Sequence, residues 1–344
     1  MTTIGGHPAR TTLRAQVDAG GLGTGGRPGR GRSGRVGHMA VVLHSREEML
    51  AAALPWLDAG LAAGDLVVLT CPEETAQLLV DELGGAAAAV VREPRVSLRG
   101  ARGPDAITTT RRLLDRAAGA GSGRLRVFGH PEFGPAPRDW RETQRYESVV
   151  NELLAGARMS ALCPYDAEAL PATAVESARA THPFLLVDGV ATANPDYRAP
   201  AAYVAELPLP REAMEAGPPV FAVDGAPTLA WLRHQLAGVL AEHVPDRDRC
   251  EDMHLAVSEI AANAFRHGTP PVSARVWAEP GWVVCTIADR GTGFADPLAG
   301  FVPAHGDDLS QGGMGLWLAR KLWEHVDLIG GPHGLTVRLS APTR

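Results

Sequence analysis

The sequence predicts two α/β domains in tandem: a parallel sheet with helices on its faces, then an α/β sandwich. Three observations predict this. Over 38–190, short apolar runs alternate with helical stretches at the spacing of strand–helix–strand units. Over 191–226, Pro195, Pro200, Pro208, Pro210, Pro218 and Pro219 accumulate among alanines, the composition of a semi-rigid linker. Over 227–344, two helical segments precede a strand pair, a glycine-rich loop, another helix and two last strands. A chain of 344 residues is long enough for two separate cores.

The elements follow in order. Residues 1–37 are rich in Gly and Arg, carry Asp18 as their only acid and show no hydrophobic period, so this leader is expected to be disordered. Strands are expected at 39–43 and 66–70, with helices at 47–63 and 73–83. Further strands at 125–128 and 159–163 each lead into a helical segment. In the second domain Leu229, Leu232, Leu236, Val239 and Leu240 recur at helical spacing, and a helix over 249–267 is stopped by Gly268. Strands at 273–278 and 282–288, a helix at 316–323 and strands at 326–329 and 335–340 complete it.

Composition excludes several classes. Net charge is only -6, against nucleic acid as the main partner. No run approaches the roughly 18 apolar residues of a membrane span, and the amino terminus has no apolar signal core. Cys71, Cys163, Cys250 and Cys285 are far apart without a C-x-x-C pair, which argues against a zinc ribbon and suits a reducing cytoplasm. The single lysine, Lys321, is followed by Leu322, so no P-loop exists. The arginine bias itself reads as a GC-rich genome.

Three segments of the second domain carry chemistry when read together. Glu259, Asn263 and His267 are four apart and share a helix face, while Val257, Ile260, Ala261 and Ala264 turn to a core. A carboxylate and an amide oxygen one turn apart can hold a hydrated Mg²⁺; a solvated helix face is the plainer reading. Asp289, Gly291 and Gly293 end an apolar strand, where the carboxylate can accept from an adenine amino group and the glycines permit close approach. Gly312, Gly313 and Gly315 open a helix at Leu316 and can offer free N–H groups to phosphate.

In this order and on these elements, "LAVSEIAANAFRHG", "IADRGTGF" and "GGMGLWLARKL" resemble the N, G1 and G2 boxes of the GHKL ATPases. The "AVSE…NA..H" box is most similar to the compact RsbW and SpoIIAB anti-sigma kinases. The resemblance implies a Bergerat-type ATP fold with ATP and Mg²⁺ as cofactors. It implies Glu259 as general base, Asn263 as Mg²⁺ ligand and Asp289 on adenine. His267, Gly291, Gly293, Gly312, Gly313, Gly315, Leu316 and Thr336 are carried over as ATP-binding. The implied substrate is a serine or threonine on a STAS-type antagonist, the implied second partner a sigma factor, and a homodimer is compatible. One departure is that Gly334 is followed by Leu335 before Thr336, where such domains close on Gly-Thr. Sequestration of a sigma factor without turnover stays open. A histidine kinase is disfavoured, because His182 precedes the helix-breaking Pro183 and no phospho-acceptor helix is evident.

Residues 38–190 resemble the MEDS sensory domain, named for methanogen/methylotroph DcmR-type sensors. The resemblance is carried by His38 with its strand, "LDAGLAAGDLVVLTCPEE", "RETQRYESVVNELL", "ALCPYDAEALP" and "RATHP". It implies a signal or ligand sensor, and Tyr146, Glu147, Cys163, Tyr165, Asp166 and His182 are the candidates for its pocket. Structural roles fit them equally: Cys163 as buried core, His182 as a turn residue. The combination resembles actinobacterial RsbA-family anti-sigma regulators.

Overall fold

The computed structural model describes residues 37–291, 296–303, 314–331 and 334–344. The leader 1–36 and Gly293, Gly312 and Gly313 therefore lie outside the described residues. In the first domain the elements are β1 (Gly37–Leu43), α1 (Arg46–Ala63), β2 (Leu66–Thr70), α2 (Glu73–Leu83), β3 (Val91–Arg92) and α3 (Gly103–Ala118). They continue as β4 (Leu125–Gly129), α4 (Pro137–Leu153), β5 (Met159–Asp166), α5 (Ala172–Thr181), β6 (Phe184–Val187) and β7 (Val190–Ala193). Helix α3, whose Thr108–Thr110 run hides its period, was not foreseen from sequence.

The strands form a 7-stranded sheet in the order β3-β2-β4-β5-β1-β6-β7, parallel except for the β6–β7 hairpin. Central strands covered on both faces are buried along nearly their whole length, as β4 and β5 are, and the one arginine of β4, Arg126, is paired with Asp65 at 2.7 Å. The side chain of Ser45 caps α1 by accepting from the Glu48 N–H at 3.2 Å. Gly64 ends it in a left-handed conformation, φ 76°.

The proline-rich segment expected to be a linker is folded. It contributes β7 to the first sheet, then α6 (Pro200–Glu206), whose Tyr203 and Val204 pack with Val149 of α4. A 3-10 turn at Ala213–Ala216 seats Met214 against Trp277, and β8 (Phe221–Val223) joins the second sheet. Pro200 stands at the first position of α6, where a missing N–H costs no hydrogen bond. Pro200, which looks like linker composition, is here a helix start.

The second domain comprises α7 (Leu229–His243), α8 (Arg247–His267), β9 (Ser273–Glu279), β10 (Trp282–Asp289), α9 (Gly315–Leu322), β11 (His325–Gly331) and β12 (Gly334–Pro342). Its antiparallel sheet runs β11-β12-β10-β9-β8. Thr228 caps α7 and Asp246 caps α8, each side chain accepting from an N–H three residues on. Leu232, Leu236 and Leu240 of α7 and Met253, Val257, Ile260, Ala261 and Ala264 of α8 pack on Cys285, Ile287, Val337 and Leu339. Trp323, just past α9, is fully buried there and donates its indole N–H to the Met253 carbonyl at 3.1 Å.

Residues of β11 and β12 alternate, so the other face of this sheet carries Asp327, Arg338 and Ser340. That face meets the first domain. Asp327 is buried between Arg338 of its own sheet, at 2.6 Å, and two α4 residues, Arg145 at 2.5 Å and Arg141 at 3.4 Å. Arg102–Glu324 at 2.6 Å and Lys321–Asp105 at 2.7 Å extend the contact. Burial alone would raise the Asp327 carboxyl, but Arg145, Arg141 and Arg338 outweigh it and hold it well below the usual carboxylate range.

Candidate nucleotide site and a buried polar cluster

Helix α8 positions the first part of the nucleotide site. Its apolar residues are drawn into the helical core, which leaves Glu259 and Asn263 partly exposed on the opposite stripe and His267 exposed at the carboxyl end. Arg233 of α7 reaches the Glu259 carboxylate at 3.4 Å.

Gly315, the first residue of α9, lies directly against this pair. A Cβ at Gly315 would stand 2.6 Å from Asn263 Nδ2 and 3.4 Å from Glu259 Cβ. Only glycine allows the amino end of α9, whose first N–H groups have no partner within the helix, to approach the carboxylate and amide so closely.

Asp289 closes β10 and is 8% exposed. Its Oδ1 accepts from the N–H groups of Gly291 at 2.7 Å and Thr269 at 3.2 Å, which fixes the carboxylate. A Cβ at Gly268 would come 2.7 Å from Oδ2 and one at Gly291 2.7 Å from Oδ1. Glycine at both positions makes room for the Asp289 carboxylate itself. From Glu259 to Gly268 the helix rises about 13 Å at 1.5 Å per residue. The carboxylate–amide pair and the anchored Asp289 thus mark opposite ends of one elongated site.

Oxygen donors at Glu259 and Asn263 suit Mg²⁺, and helix-terminal N–H groups at Gly315 suit phosphate. The residues present fit an ATP–Mg²⁺ complex. Leu316 packs into the helical core beside this end. Thr336 pairs with Ala288, one residue out of step with Asp289, so its side chain shares the Arg338 face rather than the Asp289 face. A cleft of about 600 Å³ between the domains is lined by Arg102, Arg138, Glu142, Trp282 and Arg320. None of Glu259, Asn263 or Asp289 lines it.

In the first domain the structure gathers three of the six pocket candidates. Glu147 of α4, Cys163 of β5 and His182 after α5 converge with His38 of β1, all four buried. Burial, then the neighbouring His38, push the His182 imidazole down to about 4. Tyr165 lies edge-on to His182 with ring centroids 5.6 Å apart. Tyr146 points elsewhere, donating to the Val96 carbonyl at 2.6 Å. Asp166 accepts from the Glu168 and Ala169 N–H groups and shapes the turn after β5. His38 was missed as a site residue because it opens a strand, and only the β1–β5 pairing places it near Cys163.

Comparison with known proteins finds a match for each domain. Residues 224–341 match the histidine kinase-like ATPase domain, the class that the helix–sheet sandwich and its carboxylate–amide–glycine site define. Residues 37–183 match MEDS, the MEthanogen/methylotroph, DcmR Sensory domain. The serine-protein kinase RsbW of Bacillus subtilis is 31% identical over 120 residues, covering 32% of this chain and 74% of that protein. RsbW of Bacillus velezensis gives the same figures. That of Bacillus licheniformis is 32% identical over 107 residues, 28% of this chain and 66% of its own. Through its second domain the chain belongs to the RsbW family of histidine kinase-like ATPases, with a MEDS domain ahead of it.

Proposed function

We propose that this protein is a signal-responsive anti-sigma factor. Its second domain would be an Mg-ATP-dependent serine/threonine kinase that phosphorylates a STAS-type anti-sigma-factor antagonist and thereby regulates transcription. The reading rests on one observation above all: Glu259 and Asn263 are presented together, one helical turn apart, against the glycine-opened amino end of α9. Kinship with proteins named serine-protein kinases supports it.

Bound Mg²⁺ supplies charge neutralisation on the transferring phosphoryl group. Asn263 would hold the ion through its amide oxygen. Glu259, placed beside it, would accept the proton of the attacking hydroxyl. The carboxylate of Asp289 would accept from the adenine amino group while its Oδ1 stays tethered to Gly291 and Thr269. The first domain would carry the signal. The proposed partners are the antagonist, a sigma factor and a second copy of the chain, with no direct role for nucleic acid or membrane; no helix among the described residues is long and apolar enough to cross one. A cytoplasmic location follows from such partners.

The experiment is to incubate full-length protein with labelled ATP, Mg²⁺ and the STAS proteins of its genome, then map the modified residue. Label on a STAS serine or threonine supports the kinase; label on a histidine of this chain overturns it. A second reading, sequestration of a sigma factor without turnover, is favoured by the Arg233–Glu259 pair, since a guanidinium 3.4 Å from the carboxylate competes with a substrate hydroxyl for the same oxygen. ATP-independent sigma binding with no phosphorylation of any STAS protein would establish that alternative.

A further inference from the structure

We propose that the first domain binds a divalent d-block cation of the zinc class through His38 Nε2, His182 Nε2, Cys163 Sγ and a Glu147 carboxylate oxygen. The argument begins with which atoms carry protons. Asn151 Nδ2 is surrounded by the carbonyls of Thr181 at 2.8 Å, Glu147 at 3.0 Å and Ser148 at 3.1 Å. That orients the amide, so Asn151 Oδ1 must be the atom facing His38 Nδ1 at 3.0 Å, and His38 Nδ1 is the donor. His182 Nδ1 faces the Ala178 carbonyl at 3.0 Å and the Thr181 hydroxyl oxygen at 3.0 Å. That hydroxyl already donates to the Ser177 carbonyl, so His182 Nδ1 is a donor too.

In its neutral form each imidazole therefore turns an Nε2 lone pair inward. They meet another acceptor there: Glu147 Oε2 lies 3.3 Å from His38 Nε2 and 3.2 Å from His182 Nε2. Glu147 Oε2 and His182 Nε2 are buried without a hydrogen-bond partner. The Cys163 thiol, 3.5 Å from His38 Nε2, has one proton and can satisfy one of these acceptors at a time. Lone pairs brought together inside a protein call for a cation between them.

The dimensions fit. Tetrahedral zinc with N, O and S ligands at about 2.0–2.3 Å has ligand–ligand edges of about 3.3–3.7 Å. The contacts of 3.2, 3.3 and 3.5 Å lie at that scale, and all four donor atoms are within 4.8 Å of one another. Two nitrogens, one sulfur and one carboxylate oxygen select a borderline-soft ion over Mg²⁺ or Ca²⁺. The Asn151 and Ala178 oxygens that hold the two Nδ1–H groups are the outer partners that fix ligating histidines. On binding, Cys163 becomes a thiolate and its proton leaves to solvent. Four protein donors fill a tetrahedral ion, so the site is closed and has no place for a reactive water.

The test uses the full-length chain. Elemental analysis after purification in zinc-supplemented medium should find about one ion per chain. After chelation, Co²⁺ should restore intense tetrahedral visible bands and a near-ultraviolet thiolate-to-cobalt band, both abolished by added zinc. Cys163→Ser should lose the thiolate band, whereas Cys250→Ser, at the partly exposed cysteine, should keep it. If Cys163→Ser fails to fold, zinc-edge absorption of the wild type decides, with one sulfur neighbour expected. A metal-free protein that gives no cobalt bands and melts identically with zinc or EDTA would overturn the proposal. So would a zinc shell lacking sulfur.

Discussion

In the second domain, Glu259 and Asn263 stand half-open on one face of α8, against a glycine and beside a helix terminus. In the first, His38, Glu147, Cys163 and His182 come from four segments and are sealed under the sheet. The difference follows from what each arrangement can do. Groups that must exchange a nucleotide and admit a protein hydroxyl need an open stripe with minimal side chains around it. Groups that hold something permanently can be enclosed, as here with the outer nitrogens of both histidines hydrogen-bonded. One helix joins the sealed cluster to the contact between the domains, since α4 carries Glu147 in the cluster and Arg141 and Arg145 at Asp327.

The comparison is broken most sharply at Glu259. Glu259→Gln in the full chain should lower phosphoryl transfer to the antagonist by about 100- to 10,000-fold while ATP still binds. It should leave the cobalt spectrum of the first domain unchanged. Single-turnover assays with radiolabelled ATP check the first outcome, and a rate equal to wild type would remove Glu259 as the base.

Next in size is Asp327→Asn. Removing one member of a buried ionic network costs about 3–5 kcal/mol, because the partners are left as uncompensated charge. Denaturant unfolding should show that loss. With its folded value depressed, the Asp327 carboxylate contributes fully above the ordinary carboxylate range, and its contribution fades as pH falls towards the folded value. The gap between wild type and variant should therefore narrow on acidification; a constant gap would mean the ion pairs contribute nothing.

At the open site itself, Asp289→Asn should weaken ATP binding by about 1.5–3 kcal/mol, the scale of a hydrogen bond to a charged group. Calorimetry giving equal affinities would take Asp289 out of the site. The smallest effect is expected for Gly315→Ala, whose Cβ would press on Asn263 Nδ2. Overpacking of this kind costs about 1–3 kcal/mol, so the ligand-free protein should melt at a lower temperature, and calorimetry should show weaker Mg²⁺-dependent nucleotide binding.

Much of this was legible because local sequence controls it. The period of Leu232, Leu236 and Leu240, the Gly268 stop and the glycines before Leu316 are set by neighbours along the chain, and both the fold class and the arrangement of the carboxylate–amide helix followed from them. Less legible was anything made by pairing distant segments. His38 looked like the flank of a strand until β1 was paired with β5. The arginines of α4 read as genomic bias, since Asp327 lies far along the chain and nothing local signals it. Thr336 was chosen by its place after a glycine, whereas strand alternation decides which way it faces. The prolines of 191–226 suggested a connector because composition does not reveal that Pro200 begins a helix.

The Asp327 contact also bears on how such a chain can be recombined in evolution. Two of the three guanidiniums around that carboxylate belong to the other domain. A gene fusion joining this ATPase segment to a foreign sensor at the proline-rich junction would inherit that anion with one of its three cations, Arg338. The unit that can move between genes intact is therefore larger than either domain: it includes α4 together with the β11–β12 face that answers it.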